Sequence, residues 1–88
     1  MKKLRELAVD ENFQMFVLIK NADVRMAKNG KQFIAFTFQD TSGTIDGKFW
    51  DASDEEVTRF VAGRVVQLSG KRELYQGNPQ VKIFQMRL

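Results

Sequence analysis

Apolar and polar positions alternate through residues 31–51, KQFIAFTFQDTSGTIDGKFWD, with a period of two. That period places successive side chains on opposite faces of an extended chain and predicts two strands. In the first, Ile34, Phe36 and Phe38 share one side, and Phe33, Ala35, Thr37 and Gln39 share the other. Asp40-Thr41-Ser42-Gly43 supplies turn residues. In the second strand Ile45, Gly47 and Phe49 alternate with Thr44, Asp46, Lys48 and Trp50. Pairing Gln39 with Thr44 sets Phe38 against Ile45, Phe36 against Gly47 and Ile34 against Phe49, which is a core face. The same register sets Ala35 against Lys48 and Phe33 against Trp50 on the outer face.

The remaining pattern predicts the other elements. Residues 1–12 are polar apart from a few apolar positions, including Leu4 and Leu7, and read as a lead-in or short helix. A long strand over 13–27, rich in β-formers, is expected to bend near Asn21-Ala22. Lys28-Asn29-Gly30 then marks a hairpin with a primed turn. After the second hairpin, Ser53 and Glu56 form an S-x-x-E capping box, Val57, Phe60 and Val61 give a helical apolar face, and Gly63 is placed as the C′ glycine. A fourth strand runs over 64–74, where Gly70 suits a sharp bend, and Gln76-Gly77-Asn78-Pro79 is a turn. A fifth strand covers 80–87 with a bulge near Phe84. Met15, Met26 and Met86 read as core or rim packing.

The order β-β-β-α-β-β predicts an all-β domain, a five-stranded Greek-key barrel of the OB-fold type with one helix between strands 3 and 4. SH3-like barrels also have five strands but usually lack that helix. The run G-K-x-F-x-x-F-x-F-x-D-x-S-G-x-I-x-x-K-x-W-D resembles the strand 2–3 signature of nucleic-acid-binding OB domains, as in replication proteins and anticodon-binding domains. MKKLREL, LIKNADVR, and KFWDAS followed by FVAG further resemble the N-terminal OB domain of the YhaM-type 3′–5′ exoribonucleases of Gram-positive bacteria. That resemblance implies a single domain over 1–88 that belongs to a longer chain with a downstream HD hydrolase domain. It implies single-stranded RNA, or DNA, as partner, together with the catalytic domain in cis. It also implies a divalent metal only in that catalytic domain and no cofactor in this one.

Composition narrows the chemistry. The 88 residues contain neither cysteine nor histidine, which removes disulfides, thiolate chemistry and the commonest general base and metal ligand. Asp51, Asp54, Glu55 and Glu56 are better read as an acidic helix start than as a metal site. Gly30, Gly43 and Gly77 are separate turn glycines rather than a phosphate loop. The longest apolar run, 15–19, is too short to span a bilayer, and Met1-Lys2-Lys3 is not followed by a signal-peptide core, so a cytoplasmic domain is the expectation. The net charge is +3, and residues 64–88 hold five bases against one acid. Basic patches attract phosphates.

Aromatic and basic positions together define a candidate interface. Phe33 and Trp50 form the aromatic platform, with Thr37 and Lys48 on the same face. Arg25, Lys28, Asn29 and Lys31 surround the first hairpin loop, and Lys71, Arg72, Tyr75, Asn78 and Lys82 surround the last; in OB-folds these loops border the ligand groove. In the related OB domains a stacking aromatic often lies at the position matching Trp50. Asp46 lies on the same face and repels phosphate, so a bound strand must avoid it or an arginine must neutralise it. The alternative is a docking or oligomerisation module that buries Phe33 and Trp50 against protein; oligosaccharide binding would use the rings but not the basic loops.

Overall fold

The alternating segments close on themselves. The computed structural model describes residues 3–88 and orders them as a 3-10 turn (Leu4–Glu6), β1 (Asn12–Met26), β2 (Gln32–Asp40), β3 (Gly43–Phe49), α1 (Asp54–Arg59), β4 (Val65–Tyr75) and β5 (Asn78–Arg87). The strands form a closed barrel in the order β1-β2-β3-β5-β4. All pairings are antiparallel except β3 with β5. β1 serves two neighbours: its first half pairs with β4 and its second half with β2. An irregularity between Ile19 and Asn21 marks the switch, next to the expected bend.

The β2–β3 register matches the reading from sequence pair by pair, from Ile34 opposite Phe49 to Gln39 opposite Thr44. The inward set is the core: Ile34, Phe36, Phe38 and Ile45 are buried with Met15, Val17, Ile19, Val66, Leu68, Val81 and Met86. Two glycines let strands and rings approach closely. A Cβ on Gly47 would lie 3.1 Å from the Phe38 ring, and one on Gly70 would lie 2.5 Å from the carbonyl oxygen of Lys82. The expected bulge at Phe84 is present, because Ser69 pairs with Gln85 while Gly70 pairs with Ile83. That leaves Phe84 as the extra residue, and it is exposed, as is Phe16 on β1.

The lead-in closes one end of the barrel. Leu4 and Leu7 are each 3% exposed. The Leu4 amide donates to Asp40 Oδ2 at 2.8 Å, and the Arg5 amide donates to Ser42 Oγ at 3.0 Å. Met1 and Lys2 of the expected lead-in lie outside the described residues.

Four local expectations need correction. The Ser53–Glu56 capping box forms, but α1 ends at Arg59 with Phe60 as C-cap. Val61 therefore falls beyond the helix and is 39% exposed rather than packed. Gly63 is not the C′ residue; at φ +94 it begins the return to the barrel, its amide donating to the Ile19 carbonyl at 2.8 Å. The first hairpin has no primed turn. Asn29 does not take a positive φ, and Gly30 does, at +81, giving a three-residue loop in which Gly30 donates to the Ala27 carbonyl. The last hairpin has the primed turn instead. Only Gln76 and Gly77 separate β4 from β5, at φ +52 and +82, so Asn78 and Pro79 belong to β5.

Candidate nucleic-acid interface

Closure of the barrel assembles the outer face from β2, β3, β5 and β4. The Phe33 and Trp50 rings lie 4.6 Å apart between centroids, tilted by 36°. Trp50 stands just past the end of β3 and is 58% exposed, beside a half-buried Phe33, so its ring is open and is covered neither by the lead-in nor by α1. Lys48 Nζ sits 5.7 Å from the Trp50 ring and 5.7 Å from the Tyr75 ring, within range of a cation–π contact with each. Tyr75, at the tip of β4, is 55% exposed. One line of side chains, Phe33, Trp50, Lys48 and Tyr75, thus runs from the first hairpin to the last.

The strand registers add a row of three lysines. Lys48 on β3 pairs with Lys82 on β5, and Lys82 pairs with Lys71 on β4. Like charges directly opposite one another destabilise a sheet. Among the described residues only one of the three has an acid partner, Lys71, 3.6 Å from Glu73. A row of cations at this spacing costs folding energy that an anionic ligand would return. Lys48, Trp50, Tyr75 and Lys82 also line an open cleft of ≈ 480 Å³.

The first loop meets this face from the other side. Met26, Lys28 and Asn29 border a largely apolar hollow with Phe33 and Trp50. Arg25 is the cross-strand partner of Phe33 and lies 3.8 Å from Asp23. Asn29 Oδ1 accepts from the Lys31 amide at 3.0 Å and shapes the loop, while Lys31 Nζ pairs with Asp51 at 3.3 Å. Lys28 is exposed at the loop tip. Thr37 donates to Asp46 Oδ1 at 3.1 Å, and Asn78 borders a second cleft with Asp46 and Tyr75.

Arg72 departs from the expected arrangement. It shares the inward side of β4 with Leu68 and Gly70, and its guanidinium donates to the Leu7 carbonyl. Its backbone also exchanges hydrogen bonds with the lead-in, donating to Glu11 O and accepting from Asp10 N. It fastens the lead-in and takes no place on the face. Lys71 and Lys82 lie on β4 and β5, within the strand bounds expected from sequence on either side of the last loop, and their alignment with Lys48 depends on the parallel β3–β5 pairing. Gln80 was not singled out from sequence; it lines both clefts as the β5 partner of Asp46. Asp40 was read only as a turn residue. Burial raises its carboxyl pKa, but hydrogen bonds from the Ser42 hydroxyl and from the Leu4, Ser42 and Gly43 amides outweigh this and hold it below the usual carboxylate range. Among the described residues no group of His, Cys, Asp or Glu is arranged to hold a metal ion. Among the described residues no helix is long and apolar enough to cross a membrane.

A closed β1-β2-β3-β5-β4 barrel with a helix between β3 and β4 is an OB-fold. The chain belongs to the tRNA anti-codon family of OB-fold nucleic acid binding domains, whose family model matches residues 17–88. Among solved structures, the second OB-fold domain of replication protein A from Methanococcus maripaludis superimposes with a TM-score of 0.72. That match covers 99% of this chain and 92% of the other at 18% sequence identity, a likeness of fold.

Proposed function

We propose that this domain binds single-stranded nucleic acid, RNA in preference to DNA, across the Phe33–Trp50–Lys48–Tyr75 face, and that it holds substrate for a 3′–5′ exoribonuclease domain in the same chain. The observation that carries the binding reading is the row Lys48–Lys82–Lys71 beside open aromatic rings. Exposed bases stack on rings whatever their identity, and lysines follow the phosphates. Lys28 and Arg25 extend the basic border at the first loop. The attached nuclease rests on the resemblance of MKKLREL, LIKNADVR and KFWDAS to the YhaM-type enzymes. In such an enzyme this domain contributes binding made equally in the ground and transition states. Removing it raises KM on long RNAs and leaves kcat nearly unchanged.

The test is a titration of labelled RNA and DNA oligonucleotides at several salt concentrations. Three lysine–phosphate contacts give a log–log salt slope of about −2, at ~0.7 per phosphate for single strands. Replacing Lys48 and Lys82 with Gln should flatten that slope by about 1.4. Binding indifferent to salt would favour the docking module instead. A docking role has support from residues other than the Phe33–Trp50 pair, since Phe16, Val65 and Phe84 are 64%, 58% and 55% exposed on β1, β4 and β5.

A further inference from the structure

We infer that the cleft beyond Tyr75 is a base-reading pocket selective for guanine, with the Asp46 carboxylate as its reading group. The inference rests on the nucleic-acid reading above. Asp46 lies on the outer face of β3, two residues from Lys48, where a groove that follows phosphates has use for cations rather than an acid. Among the described residues neither a lysine nor an arginine pairs with it, so its charge is left unneutralised. Among the described residues its side-chain partner is the Thr37 hydroxyl, which donates to Oδ1 at 3.1 Å across the register pair Thr37–Asp46. That bond fixes the carboxylate on the sheet. Opposite stand Gln80, the register partner of Asp46 on β5, and Asn78, the partner of Tyr75 at the last hairpin. These groups line a cleft of ≈ 360 Å³, and Tyr75 also borders the ≈ 480 Å³ cleft that holds Lys48 and Trp50. A strand following the lysine row therefore reaches an open ring, and beside that ring a carboxylate and two amides.

Hydrogen-bonding chemistry selects the base. An ionised carboxylate only accepts, and Oδ2 and the second lone pair of Oδ1 stay available after the Thr37 bond. Guanine alone presents two adjacent donors on its Watson–Crick edge, N1–H and the N2 amino group, which match the two oxygens of a carboxylate. Adenine and cytosine set a ring-nitrogen lone pair beside their amino group, and uracil flanks its single N–H with two carbonyls. Each of those brings an acceptor against the carboxylate. Guanine O6, an acceptor, suits the amide donors of Gln80 or Asn78. Tyr75 supplies the stacking surface. An acid on a phosphate-binding face is thereby explained as a contact to a base.

The test measures anisotropy of labelled heptamers of uridine carrying one central guanine, inosine, adenine or cytosine, beside heptauridine, on the 88-residue chain and on Asp46→Asn. Inosine lacks the N2 amino group. The guanine oligomer should bind about tenfold more tightly than the inosine one, the effect of one hydrogen bond to a charged group. Asp46→Asn should abolish that preference and bind heptauridine at least as well as the unaltered chain. Equal affinity of the unaltered chain for all five oligomers, with Asp46→Asn tightening each alike, would overturn the inference and leave the nucleic-acid reading standing. Failure to bind any of them would overturn both. The guanine-to-inosine ratio of the unaltered chain decides the matter without the variant.

Discussion

At the scale of single residues, burial separates structural side chains from those free to meet a ligand. Trp50 is 58% exposed and touches Phe33 and Lys48, so Trp50→Ala should leave the fold intact. It should weaken oligonucleotide binding by about 1–3 kcal/mol, the typical worth of one stacking ring, as measured by anisotropy. Gly70→Ala should do the reverse. A Cβ there meets the Lys82 carbonyl at 2.5 Å and Val81 Cγ1 at 2.9 Å, one of them backbone that cannot swing away. A loss of about 1–3 kcal/mol in urea unfolding is expected for such overpacking. The sequence made both residues legible, Trp50 through strand alternation and Gly70 through its place in an apolar strand. Arg72 was misread because its charge suggested a surface residue. Its parity with Leu68 turns it inward, where it holds the Leu7 carbonyl.

At the scale of elements, the turn between β2 and β3 acts as a clamp on the lead-in. Asp40 accepts from the Leu4 amide and from Ser42, and Ser42 accepts from the Arg5 amide. The Asp40 pKa lies below its ordinary value in the folded chain, because these bonds outweigh the opposing effect of burial. The stability this contributes is therefore fully present above the unfolded-state value, about 3.9, and is lost as pH falls through the lower folded value. Urea midpoints of the natural chain should fall below about pH 4, and Asp40→Asn should be less stable at pH 7 with a shallower acid limb. Of the two hairpins flanking the face, the last holds the primed turn expected of the first. Asn-Gly suggested a primed turn, but a third loop residue, Lys28, allows Gly30 alone to take the left-handed conformation. Gln76 occupies that conformation with a side chain ill suited to it, a strain that no residue-type signal announced.

At the scale of the whole molecule, alternation and the helix cap were enough to indicate the barrel, the β2–β3 register and the Phe84 bulge. The lysine row was not legible, since Lys48, Lys71 and Lys82 are brought into line only by the parallel β3–β5 pairing that closes the barrel. That closure turns scattered basic residues into one surface beside Phe33, Trp50 and Tyr75. The claim that this surface takes up exposed bases is tested most directly by the fluorescence of Trp50, the single tryptophan in the chain. Single-stranded oligonucleotide should quench it saturably, and the same strand annealed into a duplex, with its bases stacked away, should quench it far less. Oligonucleotide binding seen by anisotropy with no change in Trp50 emission, or equal quenching by single strand and duplex, would contradict base stacking on this face.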